Sequence, residues 1–228
     1  MNYLLAYICV LVGVILLLPY RYTRVQEDFT QGRRGNNQTK TCVLLGDSIL
    51  KNNAYVSAEK SVEYIVAERI PNTHCFAEDH STIADTFGQL DRVSSAMDTA
   101  NTWLFLSAGG NDILSHFVEQ NQDIANTRVL SPMFASYKNL VKSIRIRAPN
   151  AHLVLLDIYY PDNMKYQAFH PILRQWNDLI YSFAQTQSLS VIRISQRLTH
   201  PEDFSFGIEP SNVGGEKIAD LICGELVT

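Results

Sequence analysis

Positive charge is in short supply: 19 Lys and Arg stand against 23 Asp and Glu, a net charge of -4, and the pI is near 5.8. No basic face is left to track a phosphate backbone, so nucleic acid is excluded as a partner class. Cysteine is scarce too. The four present, Cys9, Cys42, Cys75 and Cys223, form no C-x-x-C pair and no Cys/His spacing that holds zinc. They read as free thiols that pack as small apolar side chains. Internal repeats and low-complexity tracts are absent. With 46% apolar, 10% aromatic and 18% charged residues, disorder over most of the chain is excluded. A chain of 228 residues suits one ordinary domain plus something small.

Charge is missing altogether from Met1 to Tyr20, and Tyr3 to Leu18 is almost wholly apolar. As a helix, Tyr3 to Tyr20 would reach about 27 Å, close to the thickness of a bilayer core. A cleaved secretory signal is the rival reading. It normally has a basic residue before the apolar run and a small-x-small site after it, and neither is present. Residues 1–20 are therefore expected to be a single-pass anchor. Arg21, Arg24, Arg33 and Arg34 follow the segment and none precedes it. That places the rest of the chain mildly on the cytoplasmic side and leaves the secretory or periplasmic side open. Residues 21–40 are polar and aperiodic, a tether, and the folded domain is expected over 41–228.

Within that domain, Val43 to Leu45 and Thr102 to Ser107 are continuous apolar runs, each ending on a turn: Gly46-Asp47-Ser48 and Gly109-Gly110-Asn111-Asp112. Shorter strands are expected at His74 to Ala77, His152 to Ile158 and Val191 to Ile194. Helical spacing links Val62, Ile65, Val66 and Ile70, then Ile83, Phe87 and Leu90 towards Met97. It recurs in Phe134, Tyr137, Val141 and Ile144, in Ile172, Trp176, Leu179, Ile180 and Phe183, and in Ile218, Leu221, Ile222 and Leu226 after a cap at Ser211. Five short strands alternating with helices predict an α/β fold, a mostly parallel five-stranded sheet covered on both faces. Ligands of such sheets gather at the carboxyl ends of the strands. Both turns lie there.

Taken alone, Gly-Asp-Ser more often marks a loop with a helix cap. Two such turns say more. Ser48 is a candidate nucleophile, and Asn111 carries an amide able to donate to a developing oxyanion. Asp112 reads equally as a helix cap.

Together these motifs resemble the SGNH (GDSL-type) hydrolases. The first block matches Gly46-Asp47-Ser48-Ile49, the third, Gly-x-Asn-Asp, matches Gly109 to Asp112, and the resemblance runs from about Thr41 to the end. It implies a three-layer, flavodoxin-like fold and a serine esterase or acyl hydrolase that needs no metal or cofactor. Gly46, Asp47, Gly109 and Asp112 would support the site. The implied substrate is a small-molecule ester, or an acylated saccharide or lipid, and the chain is expected to act as a monomer. In the second block a glycine donates its N–H to the oxyanion hole; here that place is His80, so Ser48, His80 and Asn111 form the implied set.

The last block departs further. Where the family has Asp-x-x-His, this chain has Phe206-Gly207-Ile208-Glu209, followed by Pro210-Ser211. Ile-Glu-Pro-Ser, the Gly-Gly-x-Lys-Ile-Ala after it, and Tyr55-Val56 look like a variant subgroup, with Glu209 as the base. A carboxylate with an ordinary pKa near 4.3 is a poor base unless burial raises it. Three histidines, His80, His116 and His200, are placed to assist; His74, His152 and His170 read as structural. Two alternatives remain: a binding module that kept the fold and lost the base, and an acyltransferase, which shares the acyl-enzyme step.

Overall fold

A computed structural model describes residues 39–119, 123 and 127–227. The expected anchor and all but the last two residues of the expected tether lie outside them. Among the described residues no helix is long and apolar enough to cross a membrane.

The five apolar runs form one parallel sheet: β1 (Thr41–Gly46), β2 (Thr73–Cys75), β3 (Thr102–Ser107), β4 (His152–Leu156) and β5 (Ser190–Ile192), in the order β2-β1-β3-β4-β5. This is the flavodoxin-like order, whose switch point lies between β1 and β3. β1 is buried throughout, as a strand covered on both faces must be. Alternate residues face opposite ways. Val43, Leu45, Leu104 and Leu106 enter the core under α3 (Ile83–Gln89), α5 (Leu130–Arg147) and α7 (His170–Gln187). Cys42, Leu44 and Phe105 enter the one under α2 (Val62–Arg69) and α8 (Asn212–Glu225). Two short helices, α1 (Ser48–Lys51) and α4 (Gly110–Leu114), start at the ends of β1 and β3, and α6 (Met164–Gln167) follows β4.

Several boundaries differ from expectation. The helix from Ile83 stops at Gln89 and continues only as two 3-10 turns, and the Gln89 side chain turns inward to bond the backbone of Gly46. β4 ends before Ile158, whose N–H and C=O are both taken by the Asn177 side chain, at 2.9 and 2.7 Å. β2 ends before Phe76, because the Phe76 and Ala77 N–H groups both donate to the Leu44 carbonyl. β5 gives way to a 3-10 turn at Ile194. Of the cysteines, Cys42 is buried, Cys75 and Cys223 are half-buried, all three are free, and Cys9 lies outside the described residues.

An unexpected two-stranded hairpin, β6 (Phe204–Ser205) with β7 (Glu209–Pro210), precedes α8. Phe206 (φ 51°) and Gly207 (φ 74°) sit at its tip, and the Ile208 N–H donates to the Ser205 carbonyl. That geometry is a type I′ turn.

Candidate active site

The β1–β3 register brings the two motif turns together. Gly46 pairs with Ser107, and a Cβ on Gly46, which has φ 131°, would lie 1.8 Å from the Ser107 carbonyl oxygen. Only glycine permits so close a turn. The Ser107 hydroxyl donates to Asp47 Oδ1 at 2.8 Å, and the same oxygen accepts the Ile49 N–H. Asp47 thereby caps α1 and holds Ser48 at its first residue. Its carboxyl is buried, which pushes its pKa up to about 7 against those hydrogen bonds. Gly109, φ 107°, turns over the fully buried Trp176 of α7; a Cβ there would meet the indole at 2.2 Å. These two glycines present Ser48 and Asn111 to one cleft.

That cleft is narrow, about 50 Å3, and lined by Ser48, Asn111 and Glu209 with apolar walls from Ile113, Ile158, Phe169 and Leu173. Burial raises the Glu209 carboxyl above the usual range. The nearby Ser48 hydroxyl and His80 pull the other way, while Asp79 adds to the rise. Glu209 Oε2 is buried with no partner. One hydrogen of the Asn111 amide goes to the Ser81 carbonyl at 2.9 Å, leaving the second for another acceptor.

His80 has φ 62°, the left-handed region where glycine is at ease, which explains a glycine at this place in the resembling family. It is exposed and lies near Glu209 but is not part of the cleft wall. His116 and His200 do not line the cleft either. His152 and His170 each bond a backbone carbonyl, of Ala100 and Pro161, and His74 packs against Phe76. Asp112, the third residue of α4, caps a different helix: its Oδ2 accepts the Ile83 N–H at 3.0 Å, tying α4 to α3. Phe206 is 78% exposed, its ring edge against Tyr55. Among the described residues no group of three or more His, Cys, Asp or Glu is placed to hold a metal ion.

Gln89 gave no signal in the sequence. It is buried, accepts the Gly46 N–H at 2.7 Å and donates to the Gly46 carbonyl at 2.8 Å and to Ser81 Oγ at 3.1 Å. One side chain thus fastens the serine turn to the loop that also holds Asn111. A polar residue between Phe87 and Leu90 looks like an ordinary solvent-facing position until the fold brings Gly46 to it.

These features define a flavodoxin-like α/β domain with a serine, an amide and a half-buried carboxylate at its switch point. Its fold is that of the GDSL-type lipolytic proteins. Similar solved structures include a member of the lipolytic protein G-D-S-L family from Veillonella parvula DSM 2008, with 19% identity, TM-score 0.59, and 81% of this chain and 97% of that one covered. Phospholipase A1 from Streptomyces albidoflavus NA297 is similar at 14% identity and TM-score 0.60, with 82% and 99% covered. The lipase/acylhydrolase from Enterococcus faecalis is similar at 18% identity and TM-score 0.60, with 82% and 95% covered. No protein-family model matches the sequence, and no curated protein does.

Proposed function

We propose that the domain is a serine esterase or acyl hydrolase acting on carboxylic esters, tethered to a membrane by residues 1–20. The observation that carries this reading is the meeting of Ser48, Asn111 and Glu209 in one apolar cleft, with the serine hydroxyl near enough to the carboxylate to act on its pKa. Ser48 Oγ attacks the ester carbonyl carbon while its proton passes to Glu209. The N–H groups of Ser48 and His80 and the Asn111 amide hold the oxyanion. Collapse breaks the ester C–O bond, the departing alkoxide takes the proton from Glu209, and the acyl group stays on Ser48. Water, deprotonated by Glu209, then attacks the acyl-enzyme; collapse breaks the bond from the acyl carbon to Ser48 Oγ, which takes the proton back from Glu209 as the acid is released.

A carboxylate performs this work near neutral pH only because burial raises its pKa. The narrow apolar wall favours short apolar acyl groups. The neighbours' own names, a phospholipase A1 and a lipase/acylhydrolase, support an ester with an apolar acyl part.

A fluorophosphonate probe is expected to label Ser48 in folded protein. Ser48→Ala should abolish hydrolysis of short-chain esters, and Glu209→Gln should lower it by about 10²–10⁴-fold. Unlabelled Ser48 in folded protein would sink the reading. A ligand that raises the melting temperature without turnover would favour a binding module instead. Protease access to residues 21–40 in sealed vesicles tests the tether and its side.

A further inference from the structure

We infer that Asn52 is a positioning residue which, from the far end of the short helix that begins at Ser48, fixes where Glu209 stands. The inference rests on the reading of Glu209 as the base. Asn52 is the C-cap of α1 and has left-handed backbone, φ 58° and ψ -2°. It is fully buried. Its Nδ2 donates to the Pro210 carbonyl at 2.9 Å. On the other side of Glu209, the Tyr159 hydroxyl donates to the Ile208 carbonyl at 2.7 Å. The peptide units flanking the carboxylate are therefore gripped by two buried side chains, one of them four residues along the chain from Ser48.

Helix length and packing alone do not account for asparagine at this position. A glycine would adopt φ 58° with no Cβ strain and would bury no amide, whereas Asn52 Oδ1 is buried without a partner. Asparagine enters left-handed backbone readily, so the sign lies in its side chain: an amide oxygen buried without a partner is a cost that the bond to Pro210 must justify. What asparagine adds is the donor to Pro210. The Asp-x-x-His arrangement orients a base through a second side chain; here main-chain grips on residues 208 and 210 orient a single carboxylate.

The test is Asn52→Gly in the full chain. The grip goes and the orphaned oxygen goes with it, while the Pro210 carbonyl keeps the Ser205 hydroxyl at 3.3 Å, so the melting temperature should change little. Ser48 labelling by the fluorophosphonate probe should slow on the order of 10²-fold, the scale of a small misplacement of a reacting group. Hydrolysis should lose kcat with KM unchanged. Glu209, followed by carboxyl NMR titration, should move down towards an ordinary carboxylate as it loosens into water. The groups facing it, Asp47, Tyr55, Asp79, His80 and Tyr159, are unchanged in this variant. Tyr159→Phe removes the other grip by one hydroxyl and should shift labelling and titration in the same direction. Unaltered labelling and an unaltered Glu209 titration in both variants would overturn the inference. The titration decides even in a protein that hydrolyses nothing, so failure of the esterase reading and failure of this one are told apart.

Discussion

At the scale of single residues, the cleft depends on side chains that never face it. Replacing Gln89 by Leu leaves the Gly46 N–H without its partner, while the Gly46 carbonyl keeps only the Glu78 N–H at 3.0 Å, and a buried group left unpaired costs about 1–3 kcal/mol. Gln89→Leu is accordingly expected to lower the urea midpoint clearly and to slow Ser48 labelling, because the serine turn loses its tie to the Ser81 loop. An unchanged midpoint would show that Gln89 is no clamp. Gly109→Ala belongs to the same scale. Its Cβ would strike Trp176 at 2.2 Å in a backbone with φ 107°, and overpacking costs typically about 1–3 kcal/mol before strain is added. A thermal melt checks it. Of the residues themselves, Ser48, Asn111 and the caps at Asp47 and Ser211 were legible because each motif is local. Gln89 and Asn52 were not: their partners lie 43 and 158 residues away, and neither breaks a periodic pattern.

At the scale of elements, the strands and long helices were readable because burial on both faces demands unbroken apolar runs and an apolar stripe demands a 3.6-residue period. The hairpin was not, since two residues per strand carry no period. That gap mattered. Glu209 lies on β7, and its burial follows from the turn that folds β7 back on β6, not from its neighbours in sequence. The turn is also a poor one for its first central residue. A bulky L-residue in the left-handed region costs about 1–2 kcal/mol, and Phe206 sits there with φ 51° and 78% of its surface exposed. Phe206→Asn makes the favoured Asn-Gly pair for a type I′ turn and gives up little more than the edge contact with Tyr55. It is expected to stabilise the domain by about 1 kcal/mol, read from its denaturant midpoint. Destabilisation would mean that the Tyr55 contact outweighs the backbone strain.

For the whole molecule, the buried carboxylates set how stability varies with pH, and they pull in opposite directions. Asp203 is fully buried. Burial alone would raise its pKa, but the Lys217 ammonium at 2.6 Å and the Thr199 and His200 N–H groups outweigh this and hold it below the usual range. Its stabilising contribution is fully present above the unfolded pKa of about 4 and is lost as pH falls through the lower folded value. Asp47 behaves in the reverse way. Raised to about 7 by burial, it binds a proton in the folded chain that the unfolded chain has already released, so stability declines as pH climbs from about 4 to 7. Asp112, Asp157 and Glu209, all raised chiefly by burial, add to that decline. The melting temperature should therefore peak on the acid side, near pH 4 to 5, and fall towards pH 8. Asp47→Asn keeps an oxygen for the Ser107 hydroxyl and the Ile49 N–H but has no charge to bury, so it should flatten the fall, gaining stability at pH 8 relative to wild type and little at pH 5. A variant whose profile keeps the wild-type slope between pH 5 and 8 would remove Asp47 as the source. The same linkage separates stability from catalysis, because Glu209 must be ionised to accept the Ser48 proton. Hydrolysis should rise through the pH range in which the fold is losing stability, so the activity optimum is expected to lie above the stability optimum.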